Sequence, residues 1–341
     1  MTSFLARRRR VAATVAAAAA VIVGVSACSS SGGSKTVRLV AYSVPKPAYD
    51  ALAAAFAKTS AGKGVNVKGS YGPSGAQSKA VLGGQKADYV SFSVEPDLNA
   101  LVKAGKVAAD WNTGPTKGLV TKSVVVIVVK KGNPLGIKGW DDLVKPGVKI
   151  VTPVPSTSGS AKWNILAAYE HTIAEGGTPA QASEYLKQFF AHVVSRAQSG
   201  SQATQQFLSG TGNVLISYEN EAIAARQAGK PVDYVVPEQS VLIENPAAVT
   251  KSANKSAKAF LSYVESEAGQ EIFVSKGYRP ALAGVKVGTV AGANDPANPF
   301  PVPSKLFTIA DLGGWEAVNA KFFDEKTGIV PEVQKATGKS Q

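Results

Sequence analysis

Ser123-Val124-Val125-Val126-Ile127-Val128-Val129 is an unbroken run of mainly β-branched residues near the middle of a 341-residue chain. Such a run is typical of a strand that is buried on both faces, as in a parallel sheet covered by helices. Shorter strand-like stretches alternate with helical patterns on both sides of this run. The alternation predicts an α/β fold with mostly parallel sheets flanked by helices.

The alternating patterns form two series, one before the central run and one after it. Before it we expect strands at 36–41, 65–70 and 89–92, with helices at 48–58 and 73–82. After it we expect strands at 149–152, 214–217, 232–236 and 240–243, with helices at 161–174, 180–191, 202–208 and 253–267. Two series are better explained by two lobes than by one sheet. The chain is expected to pass between the lobes at 121–130 and at 232–249.

The lobes can be assigned to segments of the chain on this basis. We expect lobe 1 to comprise residues 36–120 and 242–282, and lobe 2 to comprise residues 121–241 and 283–341. A cleft between two lobes is a frequent place for a small ligand.

Three segments of similar design each place a Ser/Gly turn at the start of a predicted helix: Tyr71–Gln77, Ser156–Lys162 and Ser199–Thr204. A helix N-terminus has unpaired backbone N–H groups and partial positive charge. Glycine lets a ligand approach the backbone closely. Three such turns in one cleft would hold an anion without formal charges. The alternative is that each turn is an ordinary helix cap.

Longer motifs around these turns resemble the sulfate-binding proteins of ABC importers. They occur in order between about Val37 and Phe323, and include Lys130–Pro134 (KKGNP), Trp140–Val148 (WDDLVKPGV), Gly212–Ala222 (GNVLISYENEA), Glu267–Glu271 (EAGQE) and Lys305–Ile309 (KLFTI). The resemblance implies a two-lobed periplasmic-binding-protein fold with the ligand between the lobes. It also implies a solute-binding protein without catalysis that delivers its ligand to the membrane permease subunits of an ABC importer.

The resemblance implies seven ligand-contacting residues, none of them charged: Val44, Ser74, Ser158, Gly159, Ser160, Gly200 and Tyr218. It gives Ser74 a hydroxyl and a backbone contact, and Ser158 a hydroxyl contact. Gly200 or a neighbour is expected to contribute a backbone N–H. Tyr218 stands where the family usually has a tryptophan that donates through its indole. That change leaves the anion open between sulfate, thiosulfate and another oxyanion such as molybdate.

A site made only of neutral donors suits sulfate, which carries no proton near neutral pH. Phosphate keeps a proton there and needs an acceptor, so a donor-only site would leave a buried group unsatisfied at a cost of about 1–3 kcal/mol. Glu219 and Glu221 are therefore expected to face away from the ligand and to pair with basic groups.

The N-terminal segment predicts export and a lipid anchor. Arg7–Arg10 precede an apolar run at 11–25 that is shorter than the roughly 20 residues of a spanning helix. Val25-Ser26-Ala27-Cys28 resembles a bacterial lipobox. We expect residues 1–27 to be a cleaved signal peptide, Cys28 to carry lipid, and 28–35 to be a flexible tether. The protein would then be extracytoplasmic and anchored to the bacterial membrane; an uncleaved membrane anchor is the alternative.

Composition limits the other function classes. The formal charge is +13, or +9 without the four N-terminal arginines, but no basic tract is interleaved with aromatics, so nucleic-acid binding is not expected. One cysteine and two histidines, His171 and His192, predict no cofactor and no metal site. A hydrolase would need a base beside a Ser-Gly turn, and neither histidine lies there. An adhesion or scaffold role would predict a closed, ligand-free cleft. A monomer is expected.

Overall fold

The computed structural model describes residues 35–339, so the expected signal peptide, the lipobox and Cys28 lie outside the described residues. Within that part of the chain, no helix has both the length and the apolar character needed to span a membrane. The strands found there are β1 Thr36–Tyr42, β2 Asn66–Gly72, β3 Tyr89–Ser91, β4 Leu119–Lys130, β5 Ile150–Val151, β6 Val214–Tyr218, β7 Val232–Val235, β8 Gln239–Val249, β9 Arg279–Pro280 and β10 Lys305–Phe307.

Helices separate most of these strands, as the alternating pattern predicts. The α-helices are α1 Lys46–Phe56, α2 Ser74–Leu82, α3 Glu95–Lys103, α4 Gly159–Ala174, α5 Pro179–Ala191, α6 Gly200–Leu208, α7 Glu219–Gln227, α8 Lys255–Glu265, α9 Glu267–Ser275, α10 Gly314–Val318 and α11 Ile329–Ala336. A 3-10 helix at Trp140–Val144 follows β4, and a π-helical turn at Asn319–Phe323 follows α10. The α/β fold class is confirmed.

The strands are hydrogen-bonded in the order β2-β1-β3-β8-β4-β6-β5, with β7 and β9 paired to β4 and β10 paired to β8. The outer strands pair in parallel, β1 with β2 and β3, and β5 with β6. The pairs that β8 makes with β3 and β4, and that β4 makes with β6, are antiparallel. Parallel strands thus lie on both sides of an antiparallel centre.

The two long strands β4 and β8 connect the outer parts of the sheet, as expected for 121–130 and 232–249. Residues 119–124 of β4 pair with β8, whereas residues 125–130 pair with β6 and β7. Residues 247–249 of β8 pair with β3, and residues 239–241 pair with β10. Val124–Ile127 of β4 are fully buried, because helices cover both faces of this strand. The lobe boundaries given above stay a prediction.

Helix α4 lies in the interior, with every residue from Gly159 to His171 buried except Lys162. A helix that is apolar on nearly all sides is expected to be covered all round. Trp163 packs edge-on against Trp315 with ring centroids 4.9 Å apart. Trp163 lies in the second turn of α4, so this packing anchors the N-terminal part of the helix.

Some expected elements differ from the structure. One helix was expected at 253–267, but the chain forms α8 and α9 with a break at Ser266, whose extended backbone lets its side chain cap α9. Helices α3 and α7 were not expected. Both begin with acidic residues in their first turn, at Glu95 and Glu219, which favours helix initiation.

Candidate functional site

The first Ser/Gly turn opens α2 beside the end of β3. Ser74 is 2% exposed; its hydroxyl donates to Asp97 Oδ2 at 2.5 Å and accepts from the backbone N–H of Ser93 at 3.0 Å. Burial raises the pKa of Asp97, and the hydrogen bond from Ser74 opposes that rise. The Ser74 hydroxyl is therefore already engaged, and this turn offers the backbone N–H of Ser74 as a donor.

The second turn opens α4. Ser158 precedes the helix with extended backbone angles, φ −105° and ψ 118°, and its side chain makes no cap hydrogen bond to the helix. Ser158 and Ser160 are 3% and 4% exposed. A β-carbon on Gly159 would lie 2.6 Å from both Cβ and Oγ of Ser93, which is far inside contact distance. Only glycine fits there, and the Ser158 hydroxyl is not used by its own helix.

The third turn opens α6 and is built differently. Ser199 is an ordinary cap, because its hydroxyl accepts from the backbone N–H of Gln202 at 3.2 Å. Gly200 follows it, and a β-carbon there would lie 2.7 Å from Ser160 Oγ and 3.1 Å from Val44 Cγ2. The third turn therefore contacts both the second turn and the loop after β1.

Hydrogen bonds link these loops one to the next. Gly75 N–H donates to the carbonyl of Thr157 at 3.2 Å, which links the first turn to the second. The Thr157 hydroxyl donates to the carbonyl of Gln198 at 2.9 Å, which links the second turn to the third. Ser201 Oγ donates to Ser43 Oγ at 2.7 Å, which links the third turn to the loop after β1. Segments far apart in sequence thus meet at one place.

Tyr218 ends β6 and joins this group of loops through Ser93. Its side chain is fully buried, and its hydroxyl lies 2.7 Å from Ser93 Oγ. Burial raises the pKa of Tyr218, so the hydroxyl keeps its proton at neutral pH. The two hydroxyls carry two protons, and only one of these lies between them. The Ser93–Tyr218 pair can therefore donate one further hydrogen bond.

Ser93 is a central residue that sequence reasoning missed. Besides its contacts with Ser74, Gly159 and Tyr218, its carbonyl accepts from Trp163 Nε1 and from Asn245 Nδ2, each at 2.9 Å. Ser93 lies in no Ser/Gly turn, and its partners are up to 152 residues away. A buried polar residue directly after a predicted strand, at 89–92, is the only signal that could have suggested it.

The two acidic residues beside Tyr218 behave differently from each other. Glu219 forms a buried ion pair with Arg279, with distances of 2.8 and 3.0 Å, as expected. Glu221 has no such basic partner among the described residues; its carboxylate accepts from the hydroxyls of Ser217 at 2.7 Å and Thr204 at 3.1 Å. Burial raises the pKa of Glu221.

Glu221 also lies closer to the candidate site than expected. A β-carbon on Gly200 would be 3.2 Å from Glu221 Oε2, so this carboxyl group borders the third turn rather than facing elsewhere. A charged carboxylate there would repel an anion. Its burial and its raised pKa favour the neutral form, which reduces that repulsion.

The structure brings all seven candidate residues together in one buried region. Contacts through Ser93 connect Ser74, Gly159 and Tyr218, and contacts around Gly200 connect Ser160 and Val44. A cavity of about 220 Å³ opens on one side of the region, and Ser158 and Gly159 line it together with residues of α2 and α3. The arrangement offers hydroxyl and backbone donors at helix N-termini, and such donors bind an anion.

A known protein family matches most of the described chain. Residues 37–279 match the family model described as bacterial extracellular solute-binding protein. This segment contains all seven candidate residues and all of the linked loops.

Individual proteins are similar over most of the chain. A sulfate-binding protein of Synechococcus elongatus is 40% identical over 322 residues, which cover 90% of this chain and 90% of that protein. A thiosulfate-binding protein of Escherichia coli is 32% identical over 299 residues, or 83% and 86% of the two chains. The solved structure of the sulfate-binding protein SubI from Mycobacterium tuberculosis H37Rv has 46% identity and a TM-score of 0.79, covering 85% of this chain and 99% of that one.

Proposed function

The chain belongs to the family of bacterial extracellular solute-binding proteins, and from this premise we propose that it captures sulfate and delivers it to an ABC importer. The observation that carries the proposal is the second turn. Ser158 stands where a serine normally caps its own helix, yet its hydroxyl leaves α4 uncapped. The turn thus presents a hydroxyl and unpaired backbone N–H groups at the positive end of a 16-residue helix.

The other candidate residues add donors of the same kind around that turn. We assign backbone N–H contacts to Val44, Ser74, Gly159, Ser160 and Gly200, and hydroxyl contacts to Ser158 and to the Ser93–Tyr218 pair. None of these groups carries a charge, and a fully deprotonated dianion can accept from all of them. Hydrogen bonds to a charged ligand contribute about 1.5–3 kcal/mol each before the cost of ordering is subtracted.

The same donors disfavour phosphate near neutral pH. A protonated phosphate oxygen must donate, and among the candidate residues only hydroxyl oxygens could accept. A hydroxyl whose proton turns away to accept from phosphate no longer donates to the anion. Leaving that proton unsatisfied would cost about 1–3 kcal/mol, or about 5- to 150-fold in affinity. Asp97 and Glu221 are the nearby carboxyl groups, and both are occupied by hydroxyl donors.

Calorimetric titration with sulfate, thiosulfate, molybdate and phosphate at one ionic strength tests this proposal. We expect sulfate to bind most tightly and phosphate most weakly. Thiosulfate is the second candidate, because the similar proteins include thiosulfate-binding proteins. A protein that binds none of these anions, or that prefers phosphate, would contradict the proposed function.

Ligand capture is expected to select a closed arrangement of two lobes that hinge at β4 and β8. The hydrogen bonds from Gly75 to Thr157 and from Ser201 to Ser43 join loops from the two expected lobes and would break on opening. Saturating sulfate should therefore compact the protein in small-angle scattering. Measured binding without any compaction would argue against the hinge.

We also propose that Cys28 carries a lipid that holds the protein at the outer face of the cytoplasmic membrane. The support is the Val25-Ser26-Ala27-Cys28 sequence after an apolar run. Cys28→Ala should move the protein from the membrane fraction to the soluble fraction. Retention of the variant in the membrane after a high-salt wash would favour an uncleaved anchor instead.

A further inference from the structure

The C-terminal end of α4 carries a second polar cluster, remote in the helix from the turn at Ser158. His171 and Glu175 lie one helical turn apart, and Asp141 comes from the 3-10 helix after β4. One ligand atom from each of the three residues lies within 4.8 Å of the others. An imidazole nitrogen and two carboxylates are ligands that zinc and related divalent ions prefer.

The His171 ring is fixed in place by its surroundings. Its side chain is 3% exposed, and it packs against Trp140 and Tyr185 with ring centroids 6.4 and 5.3 Å apart. Nε2 lies 3.0 Å from Asp141 Oδ1. An ionised carboxylate can only accept, so Nε2 carries the proton and Asp141 sets the orientation of the ring.

The other ring nitrogen of His171 is buried without a hydrogen-bond partner among the described residues. It faces Glu175 Oε1 at 3.6 Å, which is too long for an N–H···O hydrogen bond. Two atoms that each bind zinc at about 2.1 Å in a tetrahedral site lie about 3.4 Å from each other. The separation of Nδ1 and Oε1 is close to this value.

The cluster holds two carboxyl groups, in a protein whose formal charge is +13. In the part of the chain that the structure describes, no lysine or arginine forms an ion pair with Asp141 or Glu175. The neighbouring lysines are used elsewhere: Lys145 pairs with Asp142, and Lys305 donates to the carbonyl of Ala174. The carbonyl end of α4 adds further negative potential.

We propose that His171 Nδ1 and Glu175 Oε1 bind a divalent transition-metal ion such as Zn²⁺, with Asp141 orienting the imidazole and water completing the coordination. Asp141 and Glu175 are 75% and 46% exposed, so an ion can reach the cluster from solvent. The site is separate from the anion site, and its test does not depend on sulfate binding.

Calorimetric titration of ZnCl₂ into the full chain, without an affinity tag and after treatment with a chelator, tests the proposal. We expect one Zn²⁺ per chain. Glu175→Gln should weaken binding at least tenfold, since it removes the charge from an exposed ligand while keeping its shape. His171→Ala should abolish binding. His192→Ala is the matched control, because the ring of His192 is engaged with the carbonyl of Val148, and it should leave binding unchanged.

The thermal melting curve and the circular dichroism spectrum of each variant show whether it is folded. Glu175→Gln keeps the test valid if His171→Ala does not fold, because Glu175 is partly exposed. Zinc binding that is absent from the wild type, or unchanged in Glu175→Gln or in a folded His171→Ala, would overturn the proposal. Either result would leave the cluster as a histidine whose ring is oriented by Asp141, with no ion bound.

Discussion

The N-termini of α4 and α6 have nearly the same sequence and are used in different ways. Each begins with a serine followed by glycine and serine, Ser158-Gly159-Ser160 and Ser199-Gly200-Ser201. In α6 the first serine caps the helix through Gln202 N–H. In α4 the corresponding Ser158 makes no cap hydrogen bond. Omitting a serine cap costs about 1 kcal/mol, so the uncapped turn gives up stability and keeps a free donor.

A Ser-Gly turn in a sequence therefore does not show whether its serine caps the helix or is left free for a ligand. Capping is decided by the rotamer of one side chain, and the rotamer depends on what surrounds the turn. At α4 the surroundings are a buried pair of hydroxyls and a tight contact with Ser93. At α6 the Ser199 hydroxyl is also buried, but its hydrogen-bond partners among the described residues all belong to α6, namely Gln202 N–H and Ser201 Oγ.

Filling the space beside Gly159 should weaken sulfate binding more than any other substitution considered below. In Gly159→Ala the new methyl group would lie 2.6 Å from Ser93 Cβ, an atom that cannot rotate away. Moving Ser93 would disturb four hydrogen bonds, so we expect sulfate affinity to fall by about 3 kcal/mol, or roughly 150-fold. Calorimetric titration of sulfate measures this loss.

Gly200→Ala is the matched control for that substitution. Its methyl group would approach Ser160 Oγ at 2.7 Å, but this oxygen ends a rotatable side chain that can move. We expect a loss at least fivefold smaller than for Gly159→Ala. Equal losses at the two positions would mean that the turns are equivalent after all.

The second prediction separates binding from stability at the two serines. Ser158→Ala should weaken sulfate binding by about 2 kcal/mol, roughly 30-fold, with little change in the free energy of unfolding. Ser199→Ala should do the reverse, lowering the free energy of unfolding by about 1 kcal/mol and leaving affinity nearly unchanged. Titration and urea unfolding of both variants provide the comparison. A stability loss in Ser158→Ala with unchanged affinity would show that Ser158 is a cap.

The third prediction concerns the hydroxyl pair that lies against the α4 turn. Tyr218→Phe and Ser93→Ala should each weaken sulfate binding about tenfold, or 1.4 kcal/mol, because the pair supplies one donor to a charged ligand. The double variant should lose little more than either single variant, since both changes remove the same donor. Ser123→Ala is the control, because it removes a buried hydroxyl that has no hydrogen-bond partner in the described part of the chain.

Additive losses in the double variant would show that Ser93 and Tyr218 act separately. No loss in Tyr218→Phe would make Tyr218 a packing residue and remove it from the site.

The sequence predicted local features well and distant contacts poorly. The run in β4 and the three Ser/Gly turns have strong local signals, since β-branched residues favour buried strands and Ser and Gly favour helix starts. Ser93 has no such signal, because its role arises from partners in β6, β8 and α4. The same holds for the Ser74 hydroxyl: the resemblance assigns it to the ligand, and its hydrogen bond to Asp97, 23 residues later, has no local signal.

The position of Glu221 was also missed for a physical reason. Tyr218 ends β6, and α7 starts at the next residue, so Glu221 lies in the first helical turn and its side chain returns toward Ser217 four residues earlier. Without α7, the sequence placed Glu221 only near Tyr218 and left its direction open. Helix starts directly after strands are difficult to predict when no Ser, Thr, Asp or Asn precedes them.

Glu221→Gln should have the smallest effect on sulfate binding of these substitutions. It tests whether the carboxyl group beside the α6 turn is charged. Burial raises the pKa of Glu221 in the folded protein above its ordinary value of 4.5. The folded state therefore holds this proton more tightly than the unfolded state. The stabilisation that this proton provides is fully present below pH 4.5. It is lost as the pH rises through the pKa of Glu221 in the folded protein. Glutamine cannot lose a proton, so the stability of wild type relative to Glu221→Gln should decline over that pH window.

Sulfate affinity should change by less than about threefold wherever the carboxyl of Glu221 is neutral, because the amide has a similar shape. Urea unfolding and sulfate titration from pH 4 to pH 8 measure both quantities. A relative stability that rises with pH would mean that the carboxylate is favoured in the fold, and the α6 turn would then place a negative charge beside the anion.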